Sequence, residues 1–156
     1  MKKNLFGKKV NYEHFAKPFV LVALLNRFVN RYQSAANAVI KELSWQQMFF
    51  LNGVVLFTEA PTIKDMADFL GCTHQNANKL YAKLLREGYV TSEHDGNDRR
   101  KQRLFLTEKA KMFLATNKDG STESVKDIFS VISDDEMEIL IDVMARLTNH
   151  LEDLHG

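Results

Sequence analysis

A three-residue turn, Gly71-Cys72-Thr73, separates two short segments of helical periodicity, and this feature constrains the fold of the chain most strongly. Before the turn, apolar residues recur at helical spacing over 63–70, and Thr62 is a suitable N-cap. The glycine of the turn is typical of a residue that ends a helix. After the turn, Thr73 is a suitable N-cap for a second helix over 74–87. Two short helices joined in this way are typical of a helix-turn-helix.

The spacing of apolar residues changes after Gly88, where two short strands are predicted over 89–92 and 102–106. Asp95-Gly96-Asn97 lies between them and has strong turn chemistry. The two strands and their polar, arginine-bearing connection therefore predict a β-hairpin "wing" beside the helix-turn-helix.

The remaining segments are predicted to be helical, in the order α-α-α-α-β-β-α-α. A stripe of apolar residues over 12–40 has few charges, so we expect it to be buried. A long helix of this kind at a chain end often packs against a second subunit. Ser44 with Gln47, and Ser133 with Glu136, are predicted capping boxes. Residues 117–122 form either a loop or a weakened part of one long helix. With only 2 Pro and 7 Gly, the chain is predicted to be mainly α.

Composition excludes several classes of protein. The single cysteine, Cys72, allows no intramolecular disulfide. No run of about 18 apolar residues predicts a membrane span, and the lysine-bearing N-terminus lacks the apolar stretch of a signal peptide, so we expect a cytoplasmic protein. The five histidines have no metal-binding spacing, and no nucleotide-binding or hydrolase motif occurs. We therefore predict no metal, no cofactor and no enzymatic activity. Cys72 is either a redox switch or, as is commoner, a small residue that closes a turn.

Charge is unevenly distributed along a chain whose net charge is only +1. Residues 1–20 contain five lysines and one glutamate, and residues 73–103 contain seven Lys/Arg and four Asp/Glu. Residues 134–156 contain seven Asp/Glu and one arginine. A basic middle and an acidic end predict one face for a polyanion and another turned away from it.

The polar positions of the helix over 74–87 have the chemistry needed to bind DNA. Asparagine and glutamine side chains form two hydrogen bonds with adenine, and lysine binds guanine or phosphate. Such contacts usually come from residues near the start of a helix in the major groove. The alternative is an ordinary solvated helix face, and the neighbouring helix-turn and arginine-rich hairpin argue against this alternative. The predicted contact residues are Thr73, His74, Gln75, Asn76, Asn78, Lys79 and Lys83.

A second predicted DNA contact lies on the wing. A guanidinium on a thin loop can enter the narrow minor groove, where negative potential is focused. The alternative is a charged hairpin that only keeps the protein soluble. A carboxylate beside these cations weakens phosphate binding unless it holds one of them in place. The candidate residues are Asp98, Arg99, Arg100, Lys101 and Arg103.

Four stretches of the sequence resemble the MarR family of bacterial transcriptional regulators. Leu43-Ser-Trp-Gln-Gln47 is similar to the family's L-[ST]-x-x-Q opening of the second helix, and Thr62–Gly71 to the helix before the turn. Asn78–Val90 is similar to the recognition helix with the first wing strand, and Asp95–Glu108 to the D-x-x-D-x-R…LT wing. Together these stretches cover most of 43–110.

The resemblance implies a winged helix-turn-helix homodimer within a single domain over 1–156. The DNA-binding lobe would span about 43–107, and helices at about 12–40 and 108–154 would form the dimer. Arg100 would be the wing arginine of the minor groove, and Asp98 its supporting carboxylate, often paired toward the recognition helix. A small phenolic or lipophilic effector would bind in the cleft between the dimer arms and the lobe.

We therefore predict a homodimeric regulator that binds a pseudo-palindromic operator in double-stranded DNA and acts as a repressor released by a small ligand. The alternative is a winged-helix protein-interaction module without DNA binding, for which the near-neutral net charge is the sole support. Binding to phosphates weakens steeply with salt, whereas an apolar protein interface does not, so salt dependence separates the two.

Overall fold

The computed structural model describes residues 5–6, 10–96, 98 and 100–155. The chain divides into two compact units, Met1–Leu114 and Ala115–Gly156. The elements follow the predicted order: α1 (Lys17–Val39), α2 (Trp45–Leu56), α3 (Ile63–Leu70), α4 (His74–Arg86), β1 (Val90–His94), β2 (Gln102–Leu106), α5 (Glu108–Phe129) and α6 (Asp134–His155). The mainly α fold with a small hairpin is thus confirmed.

The first helix is shorter than the sequence predicts and is largely exposed in a single chain. It begins at Lys17 instead of near residue 12, with Pro18 in its first turn. None of the residues of α1 is buried in the single chain, and Phe19 is 71% exposed. A single chain therefore does not bury this stripe, and its burial against a second subunit stays a prediction.

The helix-turn-helix is fixed by local caps and one shared core. The predicted capping box of Ser44 and Gln47 begins α2, and Thr62 with Asp65 forms a second one that begins α3. Gly71 ends α3 in the left-handed conformation, at φ 60°, which is favourable for glycine. Buried side chains from α2, α3 and α4 then pack together beneath the turn, among them Phe50, Leu51, Met66, Ala77 and Leu84.

The hairpin pairs antiparallel from Val90 opposite Leu106 to His94 opposite Gln102. The first strand lies one residue later than predicted at its start and two at its end. The buried side chains of Val90 and Leu104 face the core, and the backbone N–H of Leu104 donates to the carbonyl of Pro61 at 2.8 Å. The wing is therefore attached to the loop between α2 and α3 as well as to α4.

The helix α5 is continuous through 117–122, which resolves the open alternative in favour of one long helix. The hydroxyl of Ser124 donates to the carbonyl of Gly120 at 2.8 Å within this segment. Ser133 and Glu136 form the predicted capping box that begins α6. The N–H of Ser133 lowers the pKa of the Glu136 carboxyl. None of residues 134–154 of α6 is buried.

Candidate nucleic-acid interface

The start of α4 presents one continuous polar surface. The Thr73 hydroxyl accepts a hydrogen bond from the N–H of Asn76 at 3.3 Å, which caps the helix. Ala77, Tyr81 and Leu84 are buried and hold the opposite face of the helix against the core. The helix is therefore rigidly held while its first turns remain accessible. The exposed positions are His74, Gln75, Asn76, Asn78 and Lys79, all of them predicted contact residues.

The wing tip is shaped by two aspartates. The N–H of Asp98 donates to Oδ1 of Asp95 at 3.1 Å, and the N–H of Arg100 donates to Oδ1 of Asp98 at 3.0 Å. The carboxylate of Asp98 thus orders the backbone of the wing turn, whereas the resemblance implies a pairing toward α4. Arg100 and Lys101 are exposed at this tip. Arg99 lies outside the described residues.

Arg103 differs from Arg100 in its surroundings. Its Nε donates to Oδ2 of Asp95 at 2.6 Å, and its Nη1 donates to the carbonyl of Ala60 at 3.0 Å. The carboxylate of Asp95 raises the pKa of this guanidinium. Arg103 therefore connects the base of the wing to the loop before α3, and its contact with DNA stays a prediction.

Lys83 also makes a contact within the protein. Its Nζ donates to Oε1 of Gln47 at 3.1 Å, so the ammonium is directed toward the start of α2. Lys83 lies nine positions after His74, which is about 13 Å along a helix. Contact of Lys83 with phosphate stays a prediction.

A groove of about 720 Å³ separates α4 from the wing. One wall is formed by α3, whose Asp65 has its pKa lowered, chiefly because its carboxylate accepts a hydrogen bond from the N–H of Thr62. The groove therefore contains both signs of charge: α3 contributes two aspartates and Lys64, and the wing contributes further cations. Its lining includes Asp65, Asp68, His74, Asn78, Arg100 and Lys101.

Sequence reasoning missed two residues that support this surface. Asp95 was considered for its turn chemistry and as part of the wing motif but not as a partner of Arg103, although the hairpin register brings it diagonally opposite Arg103, a position where opposite charges attract. Gln47 was recognised as part of a capping box and of the family motif, and its contact with α4 has no signal in a single sequence.

The remaining candidate features are the cysteine, a metal site and a membrane span. Cys72 is half-buried, and its thiol lies 3.6 Å from the carbonyl oxygen of Thr73. Within the described residues, no group of three or more His, Cys, Asp or Glu side chains is placed to hold a metal ion. No helix in the described part of the chain is long and apolar enough to cross a membrane.

This arrangement of two short helices, a β-hairpin and flanking long helices defines a winged helix-turn-helix protein. No protein-family model matches the sequence. Among solved structures, the chain is similar to the organohalide-sensing regulator RdhR in its ligand-free form, with a TM-score of 0.80 and 18% identity over 97% of this chain and 91% of that one. A 2,4-dichlorophenol-bound form of that regulator has a TM-score of 0.78 and 18% identity over 94% and 88%.

Two further solved structures have the same architecture. A MarR/EmrR family transcriptional regulator from Acinetobacter sp. ADP1 has a TM-score of 0.77 and 15% identity, over 92% of this chain and 99% of that one. The MepR–DNA complex from S. aureus has a TM-score of 0.72 and 20% identity, over 86% and 97%. The fold of this chain is therefore the winged helix-turn-helix fold of MarR-family regulators, which confirms the fold that the resemblance predicts.

Proposed function

We propose that this protein is a MarR-family transcriptional regulator that acts in the cytoplasm and binds double-stranded DNA as a homodimer. The observation that carries the proposal is the pairing of an exposed polar surface at the start of α4 with the exposed cations Arg100 and Lys101 on the wing. Both surfaces belong to the same compact unit and are held by buried contacts. The resemblance in sequence and the MepR–DNA complex of the same fold support it.

In the proposed complex, α4 lies in the major groove. The groove of B-DNA is about 12 Å wide and admits one helix. The amides of Gln75, Asn76 and Asn78 would hydrogen-bond base edges, and Lys79 would bind a guanine or a phosphate. Arg100 would enter the adjacent minor groove, where its guanidinium meets the focused negative potential.

Exposed apolar surface supports the homodimer. Monomeric proteins rarely expose contiguous apolar patches larger than a few hundred Å², yet each long terminal helix exposes several large apolar side chains. A second copy would cover them and would place two copies of α4 about 34 Å apart, as a pseudo-palindromic operator requires. On α1 these side chains are Phe19, Leu21, Val22, Phe28, Val29 and Val39, and on α6 they are Ile139, Leu140, Ile141, Leu147, Leu151 and Leu154.

A group of aromatic side chains where α1 meets α2 supports a small-molecule effector. Tyr32 contacts Trp45 edge to face at 4.7 Å, and Trp45 stacks on Phe49 at 5.4 Å. Burial raises the pKa of the Tyr32 hydroxyl, so this group is even less readily ionised than a free tyrosine. We propose a small phenolic or lipophilic effector in the cleft between the dimer arm and the lobe. Its binding would favour a conformer with the wrong spacing of α4 and so release a repressor from DNA.

Fluorescence anisotropy on the protein's own upstream DNA tests the proposal. We expect tight binding that prefers this fragment over unrelated DNA of equal length and weakens steeply as salt is raised. Sedimentation should give about twice the 17.9 kDa of one chain. Absence of binding at any salt concentration would contradict the proposal and favour the protein-interaction module.

The effector and the sign of regulation need separate measurements. Trp45 is the single tryptophan and lies in the proposed effector site, so titration with substituted phenols should change its emission. Transcription from the upstream promoter in vitro should fall when the protein is added and recover with an effector. An increase in transcription would contradict the proposed repression.

A further inference from the structure

Gln47 is a buried polar side chain between α2 and α4. It is 2% exposed, and both ends of its amide are hydrogen-bonded. Its Oε1 accepts from the N–H of Ser44 at 3.0 Å as well as from Nζ of Lys83 at 3.1 Å. Its Nε2 donates to Oε2 of Glu87 at 3.0 Å. Gln47 thus completes the cap of α2 and contacts Lys83 of α4 and Glu87, the C-cap of α4.

The amide of Gln47 matches its neighbours in polarity. The oxygen faces an ammonium and the nitrogen faces a carboxylate, so the surrounding groups determine the orientation of the amide. A glutamate at the same position could complete the capping box equally well and accept from Lys83. It would, however, place a second carboxylate against Glu87, where the hydrogen bond of Nε2 is now made. Lys83 and Glu87 together therefore require an amide at position 47.

Further contacts hold the C-terminal end of α4. The carbonyl of Glu87 accepts from Nζ of Lys109 at 2.8 Å, and this ammonium lies 4.2 Å from the ring centroid of Tyr89. The hydroxyl of Tyr89 donates to Oε2 of Glu42 at 3.2 Å. Contacts from α2, α5 and the segment between α1 and α2 therefore converge on the C-terminal end of α4.

We propose that Gln47 is a positioning residue that fixes the orientation of α4 through Lys83 and Glu87, and thereby the placement of its DNA-contacting first turns. The consequence for DNA rests on the proposed function. A tilt of about 10° at Lys83 would move His74 by about 2 Å, given a rise of about 1.5 Å per residue. Hydrogen bonds to base edges tolerate about 0.5 Å, so a small loss of orientation would remove sequence discrimination.

An exchange of polarity across the contact tests this proposal. Gln47→Glu creates two facing carboxylates, whereas the double variant Gln47→Glu/Glu87→Gln restores a donor opposite an acceptor. Gln46→Glu is the matched control, because it makes the same glutamine-to-glutamate change at the neighbouring, exposed position of α2. All variants are measured at pH 8 as the full chain, with thermal unfolding to confirm that each one folds.

Two readouts separate positioning from stability. The first is hydrogen exchange of the amides of α4 compared with those of α2, without DNA. The second is the ratio of affinities for the upstream fragment and for unrelated DNA. We expect Gln47→Glu to accelerate exchange in α4 and to lower the ratio by at least about fivefold, with both restored in the double variant. Gln46→Glu should change neither.

The outcomes distinguish this inference from the proposed function. Unchanged α4 exchange in Gln47→Glu, or a double variant no better than the single one, would overturn the positioning role whatever the DNA result. A wild-type protein that does not discriminate between the two fragments would contradict the proposed function, and hydrogen exchange would still decide whether Gln47 orients α4.

Discussion

The substitution Arg100→Ala separates DNA binding from folding. The Arg100 side chain is exposed at the wing tip, and the backbone N–H of this residue donates to Oδ1 of Asp98 at 3.0 Å. Alanine retains that N–H. Replacing the side chain should therefore leave the wing turn and the thermal unfolding temperature unchanged, while the guanidinium proposed for the minor groove is lost.

The expected loss of affinity follows from this placement. Removal of one arginine that contacts a DNA groove costs about 1–3 kcal/mol. Because about 1.4 kcal/mol corresponds to a factor of ten, the dissociation constant should rise by about 5- to 150-fold for one lobe. A dimer loses two such contacts, so its effect should lie toward the upper end of this range or beyond.

Fluorescence anisotropy at a fixed salt concentration gives the dissociation constant, with Arg86→Ala as the matched control. Arg86 is an exposed arginine of the same lobe, but it lies 12 residues after His74, about 18 Å along α4. It should change affinity by less than about twofold. Equal losses in both variants would mean that Arg100 contributes only net charge, and an unchanged affinity in Arg100→Ala would refute the wing assignment.

Three further predictions concern stability. A Cβ at Gly53 would lie 2.6 Å from Cε1 of Phe69, so Gly53→Ala should destabilise the chain by about 1–2 kcal/mol in urea unfolding, after the helix gain of alanine offsets part of the overpacking cost. Gly120→Ala, with open space at its Cβ, should instead stabilise it by about 0.5–1 kcal/mol. Because the pKa of Asp65 is lowered in the folded chain, Asp65→Asn should cost about 0.5–1 kcal/mol at pH 7. That difference should disappear as the pH falls below about 4, where the wild-type carboxylate takes up a proton; a difference that persists at pH 2 would contradict it.

Features determined by neighbouring residues were predictable from the sequence. The caps at Ser44, Thr62 and Thr73 and the left-handed Gly71 depend on residues at most three positions away. The continuity of α5 through Gly120 was left open because one glycine costs a helix only about 1 kcal/mol, which the rest of a long helix easily outweighs. A local pattern therefore determines where a helix begins more reliably than whether it is interrupted.

Features determined by distant residues were not predictable. Arg100 and Arg103 belong to the same basic cluster in sequence, yet Arg103 contacts a carbonyl 43 residues earlier in the chain. Lys83 similarly contacts Gln47, 36 residues away. The sequence identifies the cations of the candidate interface, but it does not show which of them form hydrogen bonds within the protein. The exposure of α1 in one chain was likewise not predictable, because it depends on which distant segments pack against this helix.

This division of the cations limits how strongly the proposed complex should respond to salt. Of the seven Lys/Arg in 73–103, Lys83 and Arg103 donate to groups within the protein, and Arg86 lies toward the far end of α4. Among the described residues of this segment, Lys79, Arg100 and Lys101 remain as exposed cations of the interface. Three phosphate contacts per lobe, doubled in a dimer, predict a slope of log affinity against log salt of about −5. A slope near −10 would require Lys83 and Arg103 to leave their internal partners and bind phosphate, or cations outside the described residues to contribute.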